Sequence, residues 1–180
     1  MTRTGPLVLS FVVVACAATP FSPSAFGLRF EPREGESARY VHRDSGVGFT
    51  LPVHADEGTR EEDDAGFERV VVRATSAAAV FRVVILRPID GTDVDPPSAV
   101  ARLADGLIAG QTVLRDQPTT VGTWPARRLA ITRATSDGGD VAFLVAADTH
   151  ALVMLEVVAP AGTAALADPF FATLELGCSR

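Results

Sequence analysis

Apolar residues alternate with a period of two along much of this chain, most clearly over residues 121–158. Turn signals at Ser136-Asp137-Gly138-Gly139 and at Asp148-Thr149-His150 cut that stretch into three runs, the pattern of a three-stranded antiparallel meander. In the first run Leu129 and Ile131 share one face, and Arg128, Ala130 and Thr132 the other. In the second, Val141, Phe143 and Val145 oppose Ala142, Leu144 and Ala146; in the third, Val153, Leu155 and Val157 oppose Leu152, Met154 and Glu156. The second and third runs are apolar on both faces, so the pattern predicts a sheet covered on both sides.

The rest of the chain supplies elements around that meander. Residues 38–42 and 47–51 read as strands joined by a turn at Ser45-Gly46, the second ended by Pro52. Residues 68–74 and 79–87 read as a strand pair, with Phe81, Val83 and Ile85 on one face and Val80, Arg82, Val84 and Leu86 on the other. Asp95-Pro96-Pro97-Ser98 is a helix start, since proline fits where the first backbone N–H groups have no partner. Val100, Leu103, Ala104, Leu107 and Ile108 then recur at helical spacing as far as Gly110, predicting a helix packed by one face onto the sheet. Residues 113–122 read as a crossing back to the meander. Asp168-Pro169 repeats the helix-start signature, and Phe170, Phe171 and Leu174 give the closing helix an apolar face.

Two acidic stretches break the pattern. Residues 56–66 have no apolar period and read as an exposed loop. Asp90, Asp93 and Asp95 read as a second loop leading into a helix cap. Neither has the alternating oxygen ligands around a glycine turn that calcium loops require, so no metal is expected.

Composition and charge narrow the picture. The 180 residues suit one domain with a real core. The net charge of −6 argues against a nucleic-acid surface. The chain has no asparagine and therefore no N-glycosylation acceptor. Residues 1–15 read as a signal peptide: Arg3 precedes an apolar stretch too short to span a bilayer as a mature helix. Cys16 directly follows Val13-Val14-Ala15, which resembles the bacterial lipoprotein signal. That resemblance implies cleavage before Cys16 and lipidation of its thiol, and two or more acyl chains hold a protein stably where one does so marginally. Ala17 is not aspartate, so the same resemblance implies no inner-membrane retention signal. Ala15-Cys16-Ala17 also fits an ordinary secretory cleavage site, in which case a Cys16–Cys178 disulfide is open. Either reading places the mature protein outside the cytoplasm. Residues 16–35, rich in Pro, Ser, Gly and Ala, read as a flexible tether, and residues 36–180 as a single α+β domain.

Candidate chemistry is sparse. No G-x-S-x-G occurs near His42, His54 or His150, so a serine triad has no signature here. No cofactor is expected. Trp124, beside Pro125, Arg127 and Arg128 at a strand entry, is the candidate binding residue, because it can present an indole next to a guanidinium. The competing reading has Trp124 covering the sheet edge. Arg127 and Arg128 alternate across the strand, so at most one can join such a site.

Tyr40 and the run Gly48-Phe49-Thr50-Leu51-Pro52 resemble the opening motif of the Mog1/PsbP-like proteins. Gly122-Thr123-Trp124-Pro125-Ala126-Arg127-Arg128-Leu129 is similar to the strand that follows the long helix in that family. The resemblance covers residues 40–176. Val53-His54 stand where the family often has a tryptophan. The resemblance implies an antiparallel β-sheet flanked by helices, an α/β/α sandwich, with no shared catalytic residues and mainly binding or assembly roles. The expectation is an exported, lipid-anchored, non-catalytic binding or assembly factor of the bacterial cell envelope. Its partners would be the membrane, through the anchor, and an envelope protein, with no nucleic acid. A small secreted hydrolase and a passive structural envelope lipoprotein are the alternatives.

Overall fold

The computed structural model describes residues 21–63, 66–132, 139–160 and 164–177. The leader, Cys16, the Ser136-Asp137-Gly138 turn and Cys178 lie outside the described residues. β1 (Leu28–Pro32), β2 (Ala38–His42) and β3 (Gly48–Leu51) form a small antiparallel sheet in that order. A larger sheet holds β4 (Glu57–Glu62), β5 (Phe67–Thr75), β6 (Val80–Pro88), β7 (Thr112–Val121), β8 (Trp124–Thr132), β9 (Gly139–Ala147) and β10 (Leu152–Pro160). Its order is β4-β5-β6-β10-β9-β8-β7, with every pair antiparallel. α1 (Pro96–Ile108) carries the chain from β6 to the far edge, and α2 (Ala167–Phe171) follows β10.

The alternation dictates this arrangement. β10 is apolar on both faces apart from Glu156, and it returns to the sheet centre between β6 and β9. Its Val153, Leu155 and Val157 join one core with Phe81, Val83, Ile85 and Leu144. Met154 joins the opposite core with Leu129, Val141, Phe143 and Val145, over which α1 lays Val100 and Ala104. The predicted meander, the strand pair and α1 thus form where the period placed them.

The expected α/β/α sandwich does not form. The protein is mostly β, and among the described residues its α-helices are one of 13 residues and one of five. One face of the large sheet carries α1, but the other is covered mainly by the β1–β3 sheet. Tyr40, Phe49, Leu28 and Leu51 fill that second core. The short α2 adds Phe170 and Phe171 to the same core.

Three further expectations change. The segment from Phe21 onward is part of the fold rather than a tether. Phe21 stacks on Phe26 at 5.2 Å between ring centroids, both pack on the core, and Leu28 is 1 % exposed. The acidic stretch at residues 56–66 contains β4, an edge strand in register with β5, with Glu57 opposite Arg73 and Glu61 opposite Arg69. Its charged side chains discourage pairing with other chains, which is why no apolar period marks it. Residues 113–121 belong to β7, the opposite edge, and Gly122 lies in the turn that follows it. A register shift between Val113 and Arg115 and the presence of Pro118 interrupt that edge, as edge strands tolerate.

Candidate functional site

Trp124, Arg127 and Arg128 are not brought together. β8 alternates as the sequence indicates, so its two arginines leave by opposite faces. Arg127 donates to both carboxylate oxygens of Asp116 on β7 and to Asp105 on α1, each at 2.6 Å. These bonds raise the Arg127 pKa and hold the Asp116 carboxyl below its ordinary range. Arg128 donates to Asp168 of α2 at 2.8 Å on the other face. Trp124 is half-buried at the β7–β8 hairpin, opposite Val121, with Gly177 beside its indole nitrogen. A cavity of about 310 Å³ lies beside the Arg128–Asp168 pair, between Leu114 and Phe171, and Trp124 does not line it.

The most polar buried cluster joins the two sheets. His42 ends β2 and is fully buried, as is Glu68 on β5. His42 Nδ1 lies 2.9 Å from Ser45 Oγ, and its Nε2 lies 3.9 Å from Glu68 Oε2. Glu68 accepts from Arg60 on β4 through Oε1 and from Arg87 on β6 through Oε2. Arg87 also reaches Asp44 at 3.3 Å. Gly27 passes close enough to the imidazole that an added Cβ would sit 3.3 Å from Nε2, and its φ of 69° already favours glycine. Burial holds the His42 pKa below its ordinary value, against the pull of Glu68 and Asp44.

This cluster superficially has the parts of a catalytic triad, and its geometry argues against that role. The serine lies on the Nδ1 side and the carboxylate on the Nε2 side, and at 3.9 Å Glu68 is beyond hydrogen-bond distance of Nε2, so this carboxylate does not orient the imidazole toward the serine. Ser45 is 2 % exposed, leaving no room for a substrate. His42, Asp44 and Glu68 also bring metal-ligand atoms within 4.8 Å of one another. Two arginines already balance the two carboxylates, so a divalent cation would add uncompensated charge to a buried place. The cluster is best understood as a tie between the sheets.

A second concavity lies on the α1 face. α1 covers β8, β9 and β10 but leaves the β5–β6 half of that face without a helix. There one row of the sheet runs Glu57, Arg73, Arg82, Glu156 across four strands. Arg73 pairs with Glu57 at 2.9 Å, and Arg82 pairs with the buried Glu156. Beside this row, a groove of about 790 Å³ runs between the first turns of α1 and the β5–β6 end. Phe67, Leu86, Pro88, Val94, Leu103 and Leu152 supply its apolar lining. Asp63, Asp90, Asp93, Asp95 and Arg102 supply its charges.

Backbone bonds hold the groove wall in place. Ile89 N donates to Gly66 O, and Val94 N donates to Thr149 O, each at 2.9 Å. Asp148 accepts from the N–H groups of His150 and Ala151, fixing the β9–β10 turn that presents Thr149. Asp90 accepts from Thr92 N, and that bond holds its carboxyl below the ordinary range. In the sequence Asp90, Asp93 and Asp95 mark only a loop and a helix cap. The groove draws on four separated segments, so no local motif announces it. Its most exposed apolar residue is Phe67, at 39 %.

No family model and no curated protein matches this chain. Among solved structures it is similar to the solution structure of cyanobacterial PsbP (CyanoP) from Synechocystis sp. PCC 6803. Identity is 14 %, coverage is 81 % of this chain and 96 % of that one, and the TM-score is 0.51. A crystal structure from Bacteroides thetaiotaomicron is 13 % identical over 78 % of this chain, with a TM-score of 0.44, and this chain spans 45 % of its length. The fold is therefore PsbP-like, with two antiparallel sheets and few helices.

Proposed function

We propose that the protein is an exported, lipid-anchored, non-catalytic binding or assembly factor of the bacterial cell envelope that recognises its partner through the groove beside α1. The groove carries this reading: backbone bonds fix its wall, and its apolar lining includes the exposed Phe67. Among the described residues, the one histidine bonded to a hydroxyl is sealed at 0 % exposure, whereas an acid–base catalyst must reach its substrate. Export and anchoring are supported by the apolar leader and by Val13-Val14-Ala15-Cys16.

Two experiments test the two halves. Cys16→Ser should move the protein from the membrane to the soluble fraction, and fatty-acid labelling that leaves the wild type unlabelled defeats the anchor. A photo-crosslinker placed at Phe67 should give a discrete adduct in intact envelopes, while one at Arg29 on β1 should not. Equal adducts at both positions defeat the groove as the recognition surface.

A further inference from the structure

We infer that the groove beside α1 takes a basic, amphipathic segment of a partner protein. This inference rests on the groove being the recognition surface and adds the chemistry of its occupant. The floor demands an apolar side chain. Phe67 is 39 % exposed, and Leu103 and Leu152 line the groove with it. A volume of about 790 Å³ holds several side chains and falls in the usual range for ligand sites. Its opening along the first turns of α1 suits a length of chain better than an enclosed small molecule.

The rim sets the sign of charge. Leaving aside Asp63, which is held in the β4–β5 turn, three aspartates, Asp90, Asp93 and Asp95, face one arginine, Arg102. The N-terminus of α1 contributes roughly half a positive charge. That is too little to offset the rim, and Asp95 stands at that N-terminus. A lysine or arginine of the occupant would therefore meet complementary potential beside its apolar contact. Two other occupants fit less well. An anionic lipid surface would be repelled by the same carboxylates. A second copy of this chain brings a net charge of −6 to an acidic rim.

Binding of two peptides to the full chain tests this. Both are amphipathic 14-mers with the same Leu and Phe positions, one carrying Lys and the other Glu at every polar position. The lysine peptide should bind, should weaken about tenfold or more with either Phe67→Ala or Asp93→Lys, and should weaken as salt rises. The glutamate peptide should bind at least tenfold more weakly than the lysine peptide. If both peptides bind equally and Phe67→Ala weakens both, the basic partner is wrong while groove docking survives. If neither peptide responds to either substitution, the occupant is not of this kind, and the Phe67 crosslink then decides separately whether the groove docks anything. If sedimentation shows a dimer that Asp93→Lys converts to monomer, the occupant is a second copy and the inference falls.

Discussion

Glu68 Oε2 lies 3.9 Å from His42 Nε2, and this pair joins β5 of the large sheet to β2 of the small one. Neither residue is at a surface, and neither has room for a ligand. Both sit where two sheets must stay in register although most of the contact between them is apolar and non-directional. The cluster of His42, Ser45, Glu68, Arg60, Arg87 and Asp44 supplies direction to that interface.

The His42 position predicts a pH dependence of stability. Its folded pKa is depressed, first by burial and then by Arg87 and Arg60, while Glu68 and Asp44 oppose the shift. The unfolded chain binds the proton near the ordinary value of about 6.5. Between the folded and unfolded values the unfolded state holds more protons, so stability is complete above about pH 6.5 and falls as pH drops toward the folded value. The slope in that window has a ceiling of about 1.4 kcal/mol per pH unit, the limit for one proton. Urea titrations between pH 7 and pH 5 should show it in the wild type and lose it in His42→Gln. A wild type that gains stability on acidification would mean Glu68 outweighs burial.

Removing the carboxylate should cost more than removing the exposed acid beside it. Glu68→Gln removes the buried carboxylate that Arg60 and Arg87 share, leaving Asp44 on Arg87 alone, and breaking a buried pair costs about 3–5 kcal/mol. Both arginines are partly exposed and can turn to water, so the lower end of that range is expected. Asp44→Asn, whose side chain is 48 % exposed, should cost less than about 1 kcal/mol. Denaturant midpoints of the two variants measure the difference.

What was legible in the sequence follows from what each strand buries. β6, β9 and β10 bury side chains on defined faces, so Phe81, Val83 and Ile85 or Val141, Phe143 and Val145 declared their partners before any contact was known. β4 and β7 are the two edges of the large sheet, and most of their side chains are exposed; period two carries no signal where no face is buried. β1 was concealed by the Pro- and Ser-rich run before it, although Phe21, Phe26 and Leu28 supply the apolar contacts. The α/β/α sandwich was implied by the family resemblance rather than by these residues, and β1–β3 with their aromatic neighbours cover the second face instead. The groove was illegible because Phe67, Leu86, Asp93 and Leu152 meet only through the pairing of β5, β6 and β10 and the path of α1.

Two substitutions check the sheet as a whole. Phe143, 5 % exposed on β9, packs beneath α1, and Phe143→Ala should cost about 3–5 kcal/mol. Asp63 is not the inert loop residue its acidic neighbourhood indicated. Its Oδ1 accepts from Phe67 N at 2.8 Å, and its own N donates to Phe67 O at 2.9 Å across the β4–β5 turn. Asp63→Ala should therefore cost about 1 kcal/mol through loss of the side-chain bond. Equal midpoints for the two variants would overturn the assignment of β9 to the sheet interior.

Trp124 separates two recognition surfaces. It shares the parity of Ala126 and Arg128 on β8, the face of the small sheet and α2, whereas the groove opens on the α1 face. Gly177 lies beside its indole nitrogen, and a Cβ there would sit 3.8 Å away. The half-buried ring thus lies against Gly177 at the β7–β8 hairpin. Trp124→Ala should cost about 2 kcal/mol, less than the roughly 3–5 kcal/mol of a fully buried tryptophan. As the sole tryptophan, it also reports on its surroundings. Titrating the lysine peptide into the wild type should leave the tryptophan emission maximum unchanged while the peptide binds, because the groove is on the other face of the sheet. A blue shift on binding, together with loss of binding and an unaltered melting curve in Trp124→Ala, would move the recognition surface to Trp124 and away from α1.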